Sequence, residues 1–179
     1  MGAPDFERIV DAHYAALYRF ALSLARSEAA AADLTQQTFY LWASRGHQLR
    51  DQSKAKSWLF TTLYREFLGM HRREARFPQA DLDGATAELP AECGSVADSI
   101  DGAAVVAALR DVDEVFRVPL TLFYLEQFSY REIAAMLDIP AGTVMSRLSR
   151  GKAMLRKILL QESDTKIIPM QRAAEGGAR

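Results

Sequence analysis

The sequence has almost no cysteine, and this limits the chemistry that it can support. Cys93 is the only thiol in 179 residues, so a disulfide within the chain is impossible and a free thiol in a reducing cytoplasm is expected. The histidines His13, His47 and His71 share no metal-ligand spacing. Phosphate-binding loops, dinucleotide fingerprints and nucleophile elbows are missing too. The sequence therefore predicts no metal, no cofactor and no enzyme.

Long hydrophobic runs and an excess of one charge are also missing. No stretch is long enough to cross a membrane, and the first residues do not form a signal peptide, so we expect a cytoplasmic protein. The formal net charge is −1, which gives no global attraction to nucleic acid. A DNA-binding surface in such a chain must come from a local cluster of basic residues.

One stretch, residues 127–160, predicts two helices joined by a tight turn. Ser129 is a good N-cap, and Glu132, three residues later, completes a capping box. Ile133, Ala134 and Leu137 follow at helical spacing, and the sequence Asp-Ile-Pro at 138–140 ends the helix, because proline disfavours helical backbone in the residue before it. The arrangement is that of a helix-turn-helix.

The second helix of this pair has a basic surface. No acidic residue occurs between Ala141 and Leu160, while Val144, Leu148, Leu155 and Leu159 form its apolar side. An ordinary helical hairpin with a solvated basic face is the alternative, but the cap, the short turn and the one-sided charge together favour DNA binding. The candidate groove-facing residues are Thr143, Met145, Ser146, Arg147, Ser149, Arg150 and Lys152. We expect Arg150 to read a base and Lys152 to contact phosphate.

The rest of the chain predicts an all-α protein with two small helical domains. Three amphipathic helices are expected at residues 5–25, 28–44 and 53–76, with a loop at 45–53. Residues 77–101 are rich in proline, glycine, alanine and acids, which is typical of a flexible linker. The second domain spans 102–162, and the tail 163–179 is expected to be disordered. Pro119 is expected near the first turn of a helix capped by Asp113.

Three sequence segments closely resemble the C-terminal helix-turn-helix of bacterial extracytoplasmic-function (group 4) sigma factors. They are SYREIAAML, IPAGTV and SRLSRGKAML. ADLTQQTFYLWA and KAKSWLFTTLYREFLGMHRR are similar to the promoter-melting domain of the same family. The resemblance implies sigma region 2 at residues 1–76 and sigma region 4 at 102–162. It also implies an alternative sigma factor that directs core RNA polymerase to the −10 and −35 elements of promoter DNA.

The resemblance assigns partners to particular residues. Contact with the β′ coiled coil of the polymerase is implied for Asp33, Leu34, Gln36, Gln37, Phe39 and Trp42, and region 4 is expected to bind the β flap. Recognition and melting of the −10 element are implied for Leu49, Lys54, Lys56, Trp58, Arg65, Arg72 and Arg73. Basic and planar side chains of this kind can hold an unpaired strand, although on charge alone a solvated face is the alternative. The family also implies an anti-sigma factor, often membrane-bound.

Four positions depart from the family pattern. Gln37 stands where glutamate is usual, Leu49 where an aromatic residue is often found, Arg65 where asparagine is usual, and Gly69 where aspartate is usual. They predict an unusual promoter preference within the same class of protein. A stand-alone helix-turn-helix regulator is the competing hypothesis, but such a regulator has no reason to carry the segment from Asp33 to Trp42. An all-α enzyme is a third hypothesis, which the lack of an acid–base or metal cluster disfavours.

Overall fold

The structure, a computed structural model, describes residues 3–25, 27–76, 108–109 and 111–165. These residues form an N-terminal bundle (residues 3–76) and a C-terminal bundle (residues 108–165), and neither described range contains a β-strand. The all-α fold class with two small helical groups is confirmed. The predicted linker at 77–101 and the tail beyond residue 165 lie outside the described residues.

The N-terminal bundle consists of three helices, α1 (Ala3–Leu24), α2 (Glu28–Arg45) and α3 (Ala55–Arg76). All three were predicted from apolar spacing, and the observed ends agree with the expected ones to within two residues. The Ser27 hydroxyl accepts a hydrogen bond from the Ala30 amide at 3.2 Å, which caps the start of α2. Two short 3-10 turns, Gly46–Gln48 and Gln52–Lys54, form the predicted loop between α2 and α3.

Aromatic rings make up much of the core of the N-terminal bundle. Phe20 and Phe60 are fully buried, with ring centroids 5.3 Å apart. Trp42 is 0% exposed, and its ring meets that of Trp58 edge to face at 5.2 Å. Phe39 and Phe67 are also buried, and Trp58 is half-buried. The bundle is therefore held by packing of large rigid groups.

The C-terminal bundle consists of α4 (Glu114–Leu120), a π-helical turn (Thr121–Leu125), α5 (Tyr130–Leu137) and α6 (Ala141–Thr165). Ala108 and Leu109 are helical and buried, and α6 runs three residues past the expected domain end at 162. The prediction for Pro119 was wrong, because it is the sixth residue of α4 and lies inside the helix. Proline there removes one backbone hydrogen bond of the helix, and the wider π turn follows immediately.

Helices α4 and α6 cross closely at Gly151. A Cβ atom at this position would lie 2.8 Å from Cδ1 of Leu120 and 3.1 Å from Cβ of Phe116. Glycine lets the two helices approach more closely than alanine would. This crossing fixes the direction of α6, the helix that carries the predicted DNA-facing residues.

The two bundles pack against each other in this structure. Helix α3 contacts α5, and α1 contacts both α4 and the π turn. Phe60 of α3 and Phe128, which precedes α5, meet edge to face with ring centroids 5.1 Å apart. Helix α3, which carries several predicted −10 residues, is thus beside the helix-turn-helix.

Candidate nucleic-acid interface

The helix-turn-helix is built by a full capping box and a left-handed turn. The Ser129 hydroxyl accepts from the Glu132 amide at 3.3 Å, and the Glu132 carboxylate accepts from the Ser129 amide at 2.8 Å. The Ser129 hydroxyl also donates to the Glu132 carboxylate at 2.7 Å, and the hydrogen bonds from this hydroxyl first and from the amide second lower the pKa of Glu132. The cap predicted from sequence is confirmed, and it fixes the start of α5.

The turn between α5 and α6 depends on the backbone of Asp138. Its φ of 53° and ψ of 49° place it in the left-handed region, where its amide donates to the Ala134 carbonyl. The amide of Ile139 donates to the same carbonyl at 3.1 Å, and the Pro140 carbonyl then accepts from Thr143 and Val144 to begin α6. Proline and a left-handed residue together end one helix and start the next within three residues.

Helix α6 presents a polar face to solvent. Val144 and Leu148 are buried against the bundle, whereas Met145 is 54% exposed. The predicted groove-facing residues that are exposed with Met145 are Ser146, Ser149, Arg150 and Lys152. The Ser146 hydroxyl donates to the Thr143 carbonyl at 2.9 Å, so its lone pairs remain available to a donor.

Two members of the predicted −35 set are less exposed to solvent than the others. Thr143 and Arg147 are half-buried. Arg147 is close enough to Tyr64 of α3 to act on its phenol: burial raises the pKa of Tyr64 first, Glu114 raises it further, and Arg147 opposes them. Arg147 is therefore near the N-terminal bundle in this structure and is only partly open to solvent.

The loop between α2 and α3 packs on the ring of Trp42. A Cβ on Gly46 would lie 2.7 Å from the indole, and Leu49 is half-buried against the core. The Asp51 carboxylate accepts from the hydroxyl of Ser53 at 2.6 Å and from its amide at 3.0 Å, and these bonds lower the pKa of Asp51. The loop is ordered by a side-chain cap and a ring, as a rigid binding loop requires.

Most of the predicted −10 cations on α3 and in the turn before it are exposed, but one of them is hydrogen-bonded to the C-terminal bundle. Arg72 and Arg73 are exposed and donate to the carbonyls of Leu68 and Gly69, one turn earlier. Lys54 and Arg65 are also exposed. Lys56 instead donates to the backbone carbonyl of Glu126 in the C-terminal bundle at 2.7 Å. The structure thus leaves most of the predicted −10 cations open to solvent but not Lys56.

The residues predicted to form the polymerase surface of α2 lie on an exposed side and on a buried side of the helix. Asp33, Gln36 and Gln37 are exposed as expected. The apolar members of the set, Leu34, Phe39 and Trp42, are in the core of the bundle in this structure. Their apolar side chains gain more from packing inside the bundle than from solvent exposure, and they hold α2 in place.

The structure adds exposed tyrosines to the same region. Tyr40 on α2 is 65% exposed, and Tyr14 on α1 is half exposed, stacked on Phe39 at 6.2 Å and on Tyr18 at 6.0 Å. Sequence reasoning missed them, although Tyr40 is three residues from Gln37, on the polar side of α2. Exposed tyrosines are typical of protein interfaces.

In the described parts of the chain, no three histidine, cysteine or carboxylate side chains come together as a metal site. None of the helices in those ranges is both long enough and apolar enough to span a membrane.

Comparison with known proteins agrees with this geometry in both bundles. Residues 9–77 match the family model for Sigma-70 region 2, and residues 103–155 match the model for Sigma-70 region 4. The chain is 31% identical to the ECF RNA polymerase sigma factor SigL of Mycobacterium tuberculosis over 86% of this chain and 88% of SigL. It is 35% identical to SigE of Mycolicibacterium smegmatis over 89% of this chain, but spans only 63% of that longer protein.

A solved structure shows the same fold. The sigma factor RpoE of Bartonella quintana, crystallised in complex with the anti-sigma factor NepR, is 29% identical and superposes with a TM-score of 0.73. The match covers 87% of this chain and 97% of that one. Both halves of the sequence, their order and their common fold therefore lead to one conclusion: the chain belongs to the extracytoplasmic-function family of RNA polymerase sigma factors, which direct promoter-specific initiation of transcription.

Proposed function

We propose that the exposed face of α6 reads the −35 element of the promoter. The observation that carries this is that Met145, Ser149 and Arg150 are exposed on a helix whose opposite side is buried and whose start is fixed by the Asp138 turn. A helix of this kind can enter the major groove. Arg150 donates two hydrogen bonds to a guanine, Met145 contacts a thymine methyl group, and Lys152 contacts phosphate.

The N-terminal bundle reads and opens the −10 element. Lys54, Arg65, Arg72 and Arg73 provide exposed positive charge along α3, and Trp58 adds a half-exposed ring beside the loop that holds Leu49. Opening a duplex costs a few kcal/mol per unstacked base step, which stacking and phosphate contacts can offset. Arginine at position 65 can stack on a base and contact phosphate at once, which gives this chain a preference different from that of relatives with asparagine.

The polymerase binds the outer face of α2. Asp33, Gln36 and Gln37 make the polar contacts with the β′ coiled coil, and Tyr40 extends that surface, while Leu34, Phe39 and Trp42 act from the core by holding α2. The C-terminal bundle binds the β flap. The chain performs no catalysis itself, because RNA synthesis belongs to the polymerase, and it acts in the cytoplasm, where the polymerase and the promoter are.

An anti-sigma factor is a further expected partner. RpoE of Bartonella quintana, which shares this fold over 87% of the chain, was crystallised with the anti-sigma factor NepR. That complex supports a protein inhibitor for this chain as well. In this family such inhibitors are often membrane-bound.

The test is transcription with core polymerase on a panel of single-base promoter variants. Arg150→Ala should lose discrimination at one −35 guanine, by a factor equivalent to about 1–3 kcal/mol, and leave other positions unchanged. Lys152→Ala is the matched control, because it should weaken all promoters alike and reduce the salt dependence. If Arg150→Ala lowers output equally on every variant, Arg150 contacts the backbone and the base-reading role is wrong.

A further inference from the structure

The glycine inside α3 is required neither by packing nor by backbone conformation. A Cβ at position 69 would meet only Nη2 of Arg73, at the ordinary contact distance of 3.9 Å, whereas a Cβ at Gly151 would come within 2.8 Å of Leu120. The φ of Gly69 is not positive, so other residues can adopt it. Glycine inside a helix is also less favourable than alanine. The remaining use of glycine is to let a ligand approach the backbone closely.

Gly69 lies in the middle of the solvent side of α3. At 100° per residue, six positions between residues 58 and 73 fall within about 50° of one direction, and none of them is buried. They are Trp58, Thr62, Arg65, Gly69, Arg72 and Arg73. Glu66 lies about 70° from that direction, at the edge of this face. The solvent side of α3 is therefore basic or neutral along its whole length between these residues.

Two exposed arginines lie one helical turn on either side of Gly69. Arg65 comes four residues before it and Arg73 four residues after it, which is about 6 Å along the axis in each direction. Nε of Arg73 donates to the Gly69 carbonyl at 3.2 Å, so the guanidinium lies over the glycine. An arginine side chain is thus long enough to span one turn, and Arg65 can reach the same point from the other side.

A phosphate of a nucleic-acid backbone suits this arrangement. A guanidinium has five N–H donors in a planar fork that matches phosphate geometry, and the bond to the Gly69 carbonyl uses one donor of Arg73. Trp58, nearer the start of α3 on the same side, offers a half-buried ring on which a base can stack. Stacking rings beside a basic surface are typical of proteins that bind single strands.

We propose that Arg65, Gly69 and Arg73 form a phosphate seat, which holds one phosphate of the unpaired non-template strand of the −10 element. This inference deepens the proposed function and rests on it, because it takes α3 as the surface that holds the melted strand. The missing side chain at position 69 lets the phosphate approach the helix until both guanidiniums reach it. A fixed phosphate sets the register of the strand, and so determines which bases reach the loop before α3.

Gly69→Ala tests the seat, because it should affect binding and stability in opposite directions. Alanine fits beside Arg73 and favours the helix, so the midpoint of urea unfolding should not fall. The added methyl group occupies the floor of the seat. Binding of the holoenzyme to a single-stranded −10 non-template oligonucleotide should weaken by about tenfold, the effect of losing one hydrogen bond to a charged group.

Gly151→Ala is the matched control for this change. It makes the same substitution inside a helix of the other bundle, and it should leave oligonucleotide binding unchanged. Core polymerase without the chain gives the background. Equal or tighter binding by the Gly69→Ala holoenzyme would overturn the seat.

A neutral linkage in the oligonucleotide locates the phosphate. Methylphosphonate replaces one phosphate at a time and removes its charge. In the parent holoenzyme, one linkage should weaken binding by about tenfold and its neighbours by less. In Gly69→Ala and in Arg73→Gln, replacing that linkage should have little further effect, because the contact is already lost. Equal penalties along the strand in the parent, or a full penalty that survives in both variants, would overturn the seat.

Arg65→Gln and Arg73→Gln separate the seat from the proposed function. If both weaken binding but Gly69→Ala does not, the −10 role of α3 stands and the seat is overturned. If none of the three variants changes binding, the seat and the −10 role are both wrong. If all three lose the same linkage but changes of the −10 bases have no effect, the seat stands and base reading by the N-terminal bundle fails.

Discussion

The two bundles are stabilised by different kinds of contact. The N-terminal bundle fills its centre with rings, with Trp42 fully buried against Trp58 and Phe20 against Phe60. The C-terminal bundle depends on the Ser129–Glu132 capping box, the left-handed turn at Asp138 and the close approach of helices at Gly151. Ring packing supports a rigid loop above Trp42, whereas caps and close crossings fix the angle of a protruding helix. Each mode of stabilisation suits the surface that the bundle must present.

The largest expected effect comes from removing a ring from the N-terminal bundle. Trp42→Ala should lower the free energy of unfolding of this bundle by about 3–5 kcal/mol, because it leaves a cavity in a packed core. Tyr40→Ala, two residues earlier on the exposed side of α2, should change stability by less than about 0.5 kcal/mol. Urea unfolding monitored by circular dichroism measures both.

The same pair separates packing from binding on α2. Tyr40→Ala should reduce co-elution with core polymerase although the variant is as stable as the parent. Equal destabilisation by Trp42→Ala and Tyr40→Ala would contradict the division of α2 into a buried and an exposed side.

Glycine-to-alanine changes compare the close approaches in the two bundles. Gly46→Ala places a methyl group 2.7 Å from the rigid indole of Trp42, so we expect a cost of about 1–3 kcal/mol. Gly151→Ala meets the flexible end of Leu120 at 2.8 Å, and alanine gains about 0.5–1 kcal/mol inside a helix, so the net change should be close to zero. Both tryptophans, Trp42 and Trp58, lie in the N-terminal bundle, so fluorescence follows its unfolding separately. A larger loss for Gly151→Ala would show that the α4–α6 crossing cannot adjust.

The pH dependence of stability distinguishes the two helix caps. Ser27→Ala and Ser129→Ala should each cost about 1 kcal/mol at neutral pH. Only the Ser129 cap includes a carboxylate, and the pKa of Glu132 is lowered from its ordinary value of 4.5 by that cap. A lowered pKa means that the contribution is fully present above pH 4.5 and is lost as the pH falls through the folded value. Glu132→Gln should therefore flatten the acid side of the stability profile, whereas Ser27→Ala should leave its shape unchanged.

Local patterns predicted most of the fold and the exposed faces. The apolar spacing gave α1, α2 and α3, and Ser129 with Glu132 gave the start of α5, because helix periodicity and caps act within a few residues. The exposed side of α6 followed from the same periodicity. Resemblance to the family supplied the roles of these residues, which spacing alone cannot assign.

Features that depend on distant parts of the chain were not predicted. Arg19 and Glu126 are 107 positions apart, and nothing near either residue marks it as the partner of the other. The π turn was missed because its pattern over five residues is that of an ordinary helix. The burial of Leu34, Phe39 and Trp42 was not predicted either, because family resemblance does not distinguish a residue that touches a partner from one that supports the surface.

The π turn at Thr121–Leu125 also affects how this chain can change in evolution. A π turn holds one more residue than the α-helical turn that it replaces, so deleting one residue there can leave a regular helix. Because the wide turn itself takes up the extra residue, the deletion would keep Glu126 on about the same side of the helix, still facing Arg19, while α5 and α6 keep their own sequences. Loss of a single codon at this turn should therefore leave both bundles folded and keep the residues proposed to touch promoter DNA in place.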